Sequence, residues 1–99
     1  MKPIAYLSIA EIELVEAAQF YNGCEPGLGR LFLDAVAATS GKIRQNPELW
    51  AYYERPVRSC RVAPFPYRLL YRELADRIQV VAVFHLSRRP GSWRDRLNK

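Results

Sequence analysis

The seven residues Ile78-Gln79-Val80-Val81-Ala82-Val83-Phe84 are apolar throughout except for Gln79, and most of them are β-branched. A strand with one wet face alternates polar and apolar residues. A run apolar in both phases fits a strand covered on both faces, at the centre of a sheet. The preceding stretch, Tyr67 to Leu74, does alternate: Tyr67, Leu69 and Tyr71 share one face, Arg68 and Arg72 the other. Ala75-Asp76 supplies the turn between them. Where the apolar run stops, the chain places its one histidine, His85, and then Arg88, Arg89, Arg94 and Arg96. A buried strand that delivers polar groups to one edge is a common way for a small scaffold to present a functional surface.

The chain has 99 residues, enough for one domain with one core between packed layers. Apolar residues at 49% and charged residues at 25% are ordinary for a globular chain and exclude an intrinsically disordered one. No apolar run is long enough to cross a bilayer, so no membrane partner is expected. Met1-Lys2-Pro3-Ile4 opens no signal peptide, and a cytoplasmic protein is the expectation. Cys24 and Cys60 form no disulfide framework and have no metal-ligand spacing. Each reads as a small buried or half-buried side chain, and neither metal nor cofactor is expected.

Charge is distributed unevenly. The net charge is +5, but residues 1–54 carry −3 and residues 55–99 carry +8. Twelve of the 15 basic residues are arginine, the side chain suited to bidentate contact with phosphate or carboxylate and to stacking on rings. A basic half joined to an acidic half points to an anionic partner on one side. The competing reading is a solvated sheet face.

In chain order, Pro3 to Leu7 reads as a first strand. Ser8-Ile9-Ala10-Glu11 has the form of a capping box opening a helix over residues 8–22. In it Glu13, Glu16 and Gln19 make a solvent stripe, and Ile12, Leu14, Val15, Ala17, Ala18 and Tyr21 a broad apolar face. The breakers from Asn22 to Gly27 end it. Leu28, Phe32, Val36, Thr39 and Ile43 recur at spacings of four and three, one face of a second helix over 28–46, with Gly41 a point of close packing. Asn46-Pro47 stops it. Glu48 to Pro56 reads as a connection pinned by Trp50, Tyr52 and Tyr53. Val57 to Val62 is the next strand, with Cys60 and Val62 inward and Ser59 and Arg61 outward. Pro90 to Lys99 is a short helix or turn anchored by Trp93.

The predicted class is α+β, in the order β-α-α-β-β-β-(α). An antiparallel helix hairpin packs on one face of a mainly antiparallel four-stranded sheet, and Arg61, Arg68 and Arg72 emerge on the other. Leu14, Phe32, Val36, Ile43, Leu69, Val80, Ala82 and Phe84 are the predicted core.

Several short motifs fall together in this order. They are Ala17-Ala18-Gln19-Phe20-Tyr21, Pro26-Gly27-Leu28-Gly29 before Phe32, and Ile43 with Asn46-Pro47. Val57-Arg58, Phe65-Pro66-Tyr67-Arg68-Leu69-Leu70-Tyr71 and Ala82-Val83-Phe84-His85 follow, then Arg88-Arg89-Pro90 and Trp93. The sequence resembles the RelE/ParE superfamily of type II toxin–antitoxin toxins, more closely its ParE-like, plasmid-stabilisation branch. The matching features span nearly the whole chain. The resemblance implies a toxin held by a cognate antitoxin in a hetero-oligomer, and one of two targets. ParE-like members bind DNA gyrase and block it; RelE-like members cleave mRNA in the ribosome. Fold alone does not choose between them, and an inactive toxin-like binding module is a third possibility.

Cleavage needs a group to activate the 2′-hydroxyl, an acid for the leaving oxygen and cations on the phosphate. Within the resemblance, Arg68 matches a phosphate-stabilising arginine of the RelE-like branch. Arg58 and Arg61 stand where some mRNA-cleaving members have lysines, and arginine is too basic to shuttle protons. The C-terminal tyrosine of many of those members is missing, and Trp93, which lies nearest, cannot titrate. That leaves Arg68, His85 and Arg61 as the catalytic candidates of a nuclease. His85 is either a proton carrier, paired with Glu54, Glu73 or an arginine, or a hydrogen-bonded residue at a strand end. Trp93 either closes the core or stacks on a partner. A binding toxin would use Arg58, Arg61, Arg68, Arg88, Arg89, Trp93 and Arg94, and that gyrase-binding reading is the one the residues favour.

Overall fold

A computed structural model describes residues 1–98. The elements are β1 (Ile4–Tyr6), α1 (Ser8–Cys24), α2 (Leu28–Gln45), β2 (Tyr52–Glu54), β3 (Val57–Arg61), β4 (Tyr67–Glu73), β5 (Ile78–His85) and a 3-10 helix, Arg94–Asn98. The class is the expected α+β. The sheet has five strands rather than four, in the order β1-β5-β4-β3-β2. Only β1 with β5 is parallel; the other pairs are antiparallel. β5 is an interior strand buried from Ile78 to Phe84, as its composition requires, but β4 takes the middle of the sheet. The additional strand is β2, in the stretch expected to be a loop. It is three residues long and pairs with β3 through an irregular register, too short to show a period.

Both helices lie on one face. Ala10 and Ala17 of α1 and Phe32, Val36 and Ile43 of α2 share a core with Leu69, Tyr71, Ile78, Val80 and Val83. The second face has its own smaller core of Val57, Leu70, Val81, Ala82, Phe84 and Trp93, closed by Tyr53 and Leu97. The C-terminal segment therefore adds a third, partial layer over the face expected to be open. Of the predicted core only Leu14 falls short, half-buried at the rim of the first cluster.

Helix α1 departs from its sequence pattern. Ser8 is its first helical residue, not its N-cap; Leu7 holds that position, and no side chain caps the end. Asn22 and Gly23 continue the helix, and the break comes at Glu25 to Gly27, where Gly27 adopts φ 90° and donates its N–H to Asn22 Oδ1. Ile12 and Val15, expected inside, are about half exposed, at 52% and 51%. Glu13, expected in solvent, is buried. Cys60 is buried but Cys24 is exposed. No helix among the described residues is long and apolar enough to cross a membrane.

Close packing of the helix pair falls at Gly29, not Gly41. A Cβ at Gly29 would stand 2.5 Å from the Ala18 carbonyl oxygen, while one at Gly41 meets nothing within 4 Å. Gly29→Ala should therefore cost about 1–3 kcal/mol by prising the helices apart. Gly41→Ala should stabilise by about 0.5–1 kcal/mol through helix propensity. Denaturant midpoints of the two variants check this, and shifts of the same sign would refute the packing described.

Candidate functional site

Strand alternation sorts the arginines. On β4, Tyr67, Leu69 and Tyr71 face the helices, so Arg68 and Arg72 face away. Register places Arg68 opposite Phe84 on β5 and opposite Arg61 on β3. Arg61 is exposed, and its guanidinium reaches only the Phe65 carbonyl oxygen, at 3.4 Å. Arg68 is half-buried; it donates to Ser59 Oγ at 3.4 Å and lies 5.1 Å from the centre of the Tyr53 ring. Arg72 is held by Gln79 Oε1 at 2.9 Å. Like charges on directly opposed residues repel. Neither Arg61 nor Arg68 has a carboxylate partner among the described residues, so together they form a site of positive charge open to an anion.

Arg58 points to the helix side. It donates to the carbonyl oxygens of Glu48 and Trp50 and to the Tyr52 hydroxyl, and its guanidinium lies 3.9 Å from the centre of the Tyr52 ring. Three of its five N–H donors hold the segment between α2 and β2 and the Tyr52 side chain that follows it. The aromatic cluster in that segment is packing, with Tyr52 clamped by Arg58 and Arg55.

Beyond β5 the candidates separate. Arg89 is exposed and makes no side-chain hydrogen bond or ion pair among the described residues. Arg94 forms a fork with Glu54, both contacts at 2.6 Å; that pairing holds the Glu54 carboxyl below its ordinary pKa and raises that of Arg94. Trp93 is fully buried against Tyr53 and Phe84, so its ring closes the second core and offers no surface to a partner. Arg88 and Arg96 both bind Glu13. Burial alone would raise the Glu13 carboxyl. Hydrogen bonds from Arg96 and Arg88 and from the Val83 N–H outweigh it and hold the group below the usual carboxylate range. Sequence reasoning missed Glu13 because its spacing with Glu16 and Gln19 imitates a solvent stripe, and its partner lies 83 residues away.

His85 is on the other face from Arg61 and Arg68. It is the register partner of Tyr67, whose ring meets it edge-on at 5.0 Å between centres, on the helix side. Its Nδ1 accepts the Ser87 backbone N–H at 3.0 Å, with Ser87 Oγ at 2.7 Å. Neither suggested carboxylate reaches it: Glu54 pairs with Arg94 and Glu73 with Lys2. Among the described residues no group of His, Cys, Asp and Glu side chains is arranged to hold a metal ion.

No family model matches the chain, and no curated protein matches it by sequence. Among solved structures, a chain of the "Chromosomal ParDE TA system from P. aeruginosa" superposes with a TM-score of 0.78 over 88% of this chain and 98% of that one, at 14% identity. The chain has a ParE-like fold. In this ParE-like frame the opposed strand arginines Arg61 and Arg68 project from the sheet face that the helices leave uncovered.

Proposed function

We propose that this chain is the toxin of a type II toxin–antitoxin pair, and that it acts in the ParE manner by seating its arginine-bearing sheet face against DNA gyrase. A small antitoxin encoded beside it would hold it inactive in a hetero-oligomer, within the cytoplasm. The observation that carries the choice of binding over catalysis is the division of the sheet. Arg61 and Arg68 stand on one face, and the only histidine stands on the other with Nδ1 committed to the Ser87 N–H. Cations that could hold a phosphate therefore do not have the imidazole beside them, and proton transfer requires hydrogen-bond reach. Arg61, Arg68 and Arg89 act through charge and position. Arg94 contributes at the rim, already bonded to Glu54, while Arg88 is held on the helix side by Glu13.

Expression in bacteria at matched soluble protein levels tests this, scoring growth arrest, DNA-damage response and mRNA cleavage separately. His85→Gln should leave growth arrest intact. Arg61→Ala, Arg68→Ala and Arg89→Ala should weaken it in a graded way, each loss of about 1–3 kcal/mol corresponding to roughly tenfold to a hundredfold in affinity. Loss of arrest in a folded His85→Gln variant, together with loss of mRNA cleavage, would establish the RelE-like endonuclease instead. The opposed pair Arg61 and Arg68, two cations suited to a phosphodiester, is the observation that favours that second reading. Absence of any effect from the wild-type chain would leave the inactive binding module.

A further inference from the structure

On the helix side of the sheet, where the start of β4, the end of β5 and the middle of α1 meet, there is a cleft of about 180 Å³ lined by Glu13, Glu16, Phe20, Tyr67, His85 and Arg88, among others. A water in the liquid takes about 30 Å³, so the cleft has room for one side-chain head group. It lies behind the sheet from Arg61 and Arg68, and the function proposed above makes no use of it.

Its polar groups are mostly donors. The Ser87 backbone N–H can only donate, so the His85 Nδ1 that receives it carries no proton, and in the neutral ring Nε2 carries the N–H. The Tyr67 hydroxyl makes no hydrogen bond with the described residues. Burial raises its pKa, with the Arg88 charge lowering it and Glu13 raising it, and all three residues line the same cleft. It is therefore a neutral O–H donor. Arg88 spends one nitrogen on Glu13 and is 44% exposed, leaving further N–H groups free to turn inward. Glu13 is no counterweight, because its two oxygens already receive Arg96, Arg88 and the Val83 N–H. The remaining charge is Glu16, which is exposed and without an ion-pair partner among the described residues.

We infer that this cleft receives a single carboxylate, an Asp or Glu side chain of a protein partner, with Arg88, the Tyr67 hydroxyl and the His85 Nε2–H as its donors. A dianion such as phosphate would meet Glu16 with its second charge, which favours a monoanion. The surroundings favour a protein over a free acid. Phe20 is 65% exposed at the lip, an apolar surface on which a residue flanking the carboxylate can rest.

The experiment uses the full chain and needs neither gyrase nor antitoxin, so its outcome is separate from the growth-arrest test. The His85 and Tyr67 ring resonances are followed by NMR while the capped tripeptide Gly-Glu-Gly, its Gly-Gln-Gly analogue, acetate and inorganic phosphate are added in turn. The expected result is a saturable shift with Gly-Glu-Gly and none with Gly-Gln-Gly. Affinity should fall about tenfold in Arg88→Gln and in Tyr67→Phe, the loss of one charged or polar contact. Tyr67→Phe keeps the ring and decides the matter if Arg88→Gln fails to fold. Acetate should bind the same place more weakly than the peptide, and phosphate more weakly still. A linear, non-saturating response, an equal response to Gly-Gln-Gly, or unchanged affinity in Tyr67→Phe overturns the inference. Acetate binding as tightly as the peptide overturns the protein source, and tighter phosphate binding overturns the carboxylate.

Discussion

Phe32→Ala should destabilise the protein by about 3–5 kcal/mol, the range for emptying a fully buried phenylalanine site. Phe32 is entirely buried and sits where three elements meet. Its ring packs against Tyr21 of α1 at 5.3 Å and against Phe65 and Tyr67 of the sheet side at 5.1 Å each, measured between ring centres. Tilted and edge-on aromatic pairs contribute roughly 0.5–1.5 kcal/mol beyond the burial of area. A cavity there would therefore remove several such contacts at once, and the neighbouring rings are too rigid to collapse into it. Domains of this size have about 5–15 kcal/mol in total, so the variant should be near the edge of folding. The melting temperature should fall by roughly 12 °C or more. Phe32→Leu, which keeps most of the volume, should lose less than half as much. An unchanged midpoint for Phe32→Ala would mean that the helix hairpin does not dock on the sheet through this residue.

The same residue shows what a sequence can disclose. Phe32, Val36 and Ile43 recur on one face of α2 because one continuous surface, the sheet with α1 beside it, covers that face. Periodicity reports burial faithfully in that case. For β5 the absence of periodicity is equally informative, because helices cover one face and Trp93 with Leu97 the other. Helix α1 is harder to read. It carries apolar residues around most of its circumference, so the pattern does not say which side is covered, and Ile12 and Val15 finish outside. Glu13 finishes inside because Arg96, at the other end of the chain, comes to it, and no window of sequence contains both. β2 is missed for a different reason: Tyr52 to Glu54 is made a strand by the edge of β3, not by its own pattern. The arginine site stands between these cases. Alternation alone put Arg61 and Arg68 on one face. It likewise puts Arg58, of opposite parity to Arg61, on the other face, but placing His85 behind the sheet from them needed the register of β4 with β5, whose own run has no period to read.

That division bears on the binding role proposed above. The helix side holds the aromatic core and sets stability. The other side holds its arginines above a small core that the C-terminal segment completes. Changes at Arg61 and Arg89 should therefore alter binding with little effect on folding, since neither has an ion-pair partner among the described residues. Arg94 and Arg96 are different, because each ties the C-terminal segment to another element, Arg94 to Glu54 and Arg96 to Glu13.

Glu13→Ala is expected to be the most damaging change at a charged residue, costing about 3 kcal/mol, the lower end of the range for removing one partner of a buried ion pair. The reason lies at the edge of β5. Strand β1 ends at Tyr6, opposite Val80, and the next groups along that edge are the Val81 carbonyl and the Val83 N–H. An open strand edge invites unwanted pairing and leaves its polar groups to be satisfied elsewhere. Here Glu13 Oε1 accepts the Val83 N–H at 3.1 Å, and Arg96 donates to the Val81 oxygen at 3.0 Å while both its terminal nitrogens reach Glu13 at 2.8 Å. Removing the carboxylate leaves the Val83 N–H without its acceptor and a guanidinium, only 15% exposed, without its counter-charge. Glu13→Gln keeps an acceptor and should cost less. The pH dependence follows from the sign of the shift. The folded carboxyl has a pKa below its ordinary value, so its stabilising contribution is complete above the unfolded value and disappears as pH falls through the folded one. The stability gap between wild type and Glu13→Gln should therefore be constant near neutrality and close progressively below about pH 5. Urea midpoints across that range measure it. A gap that stayed constant into acid, or widened there, would mean that the Glu13 charge does not hold the C-terminal segment to α1.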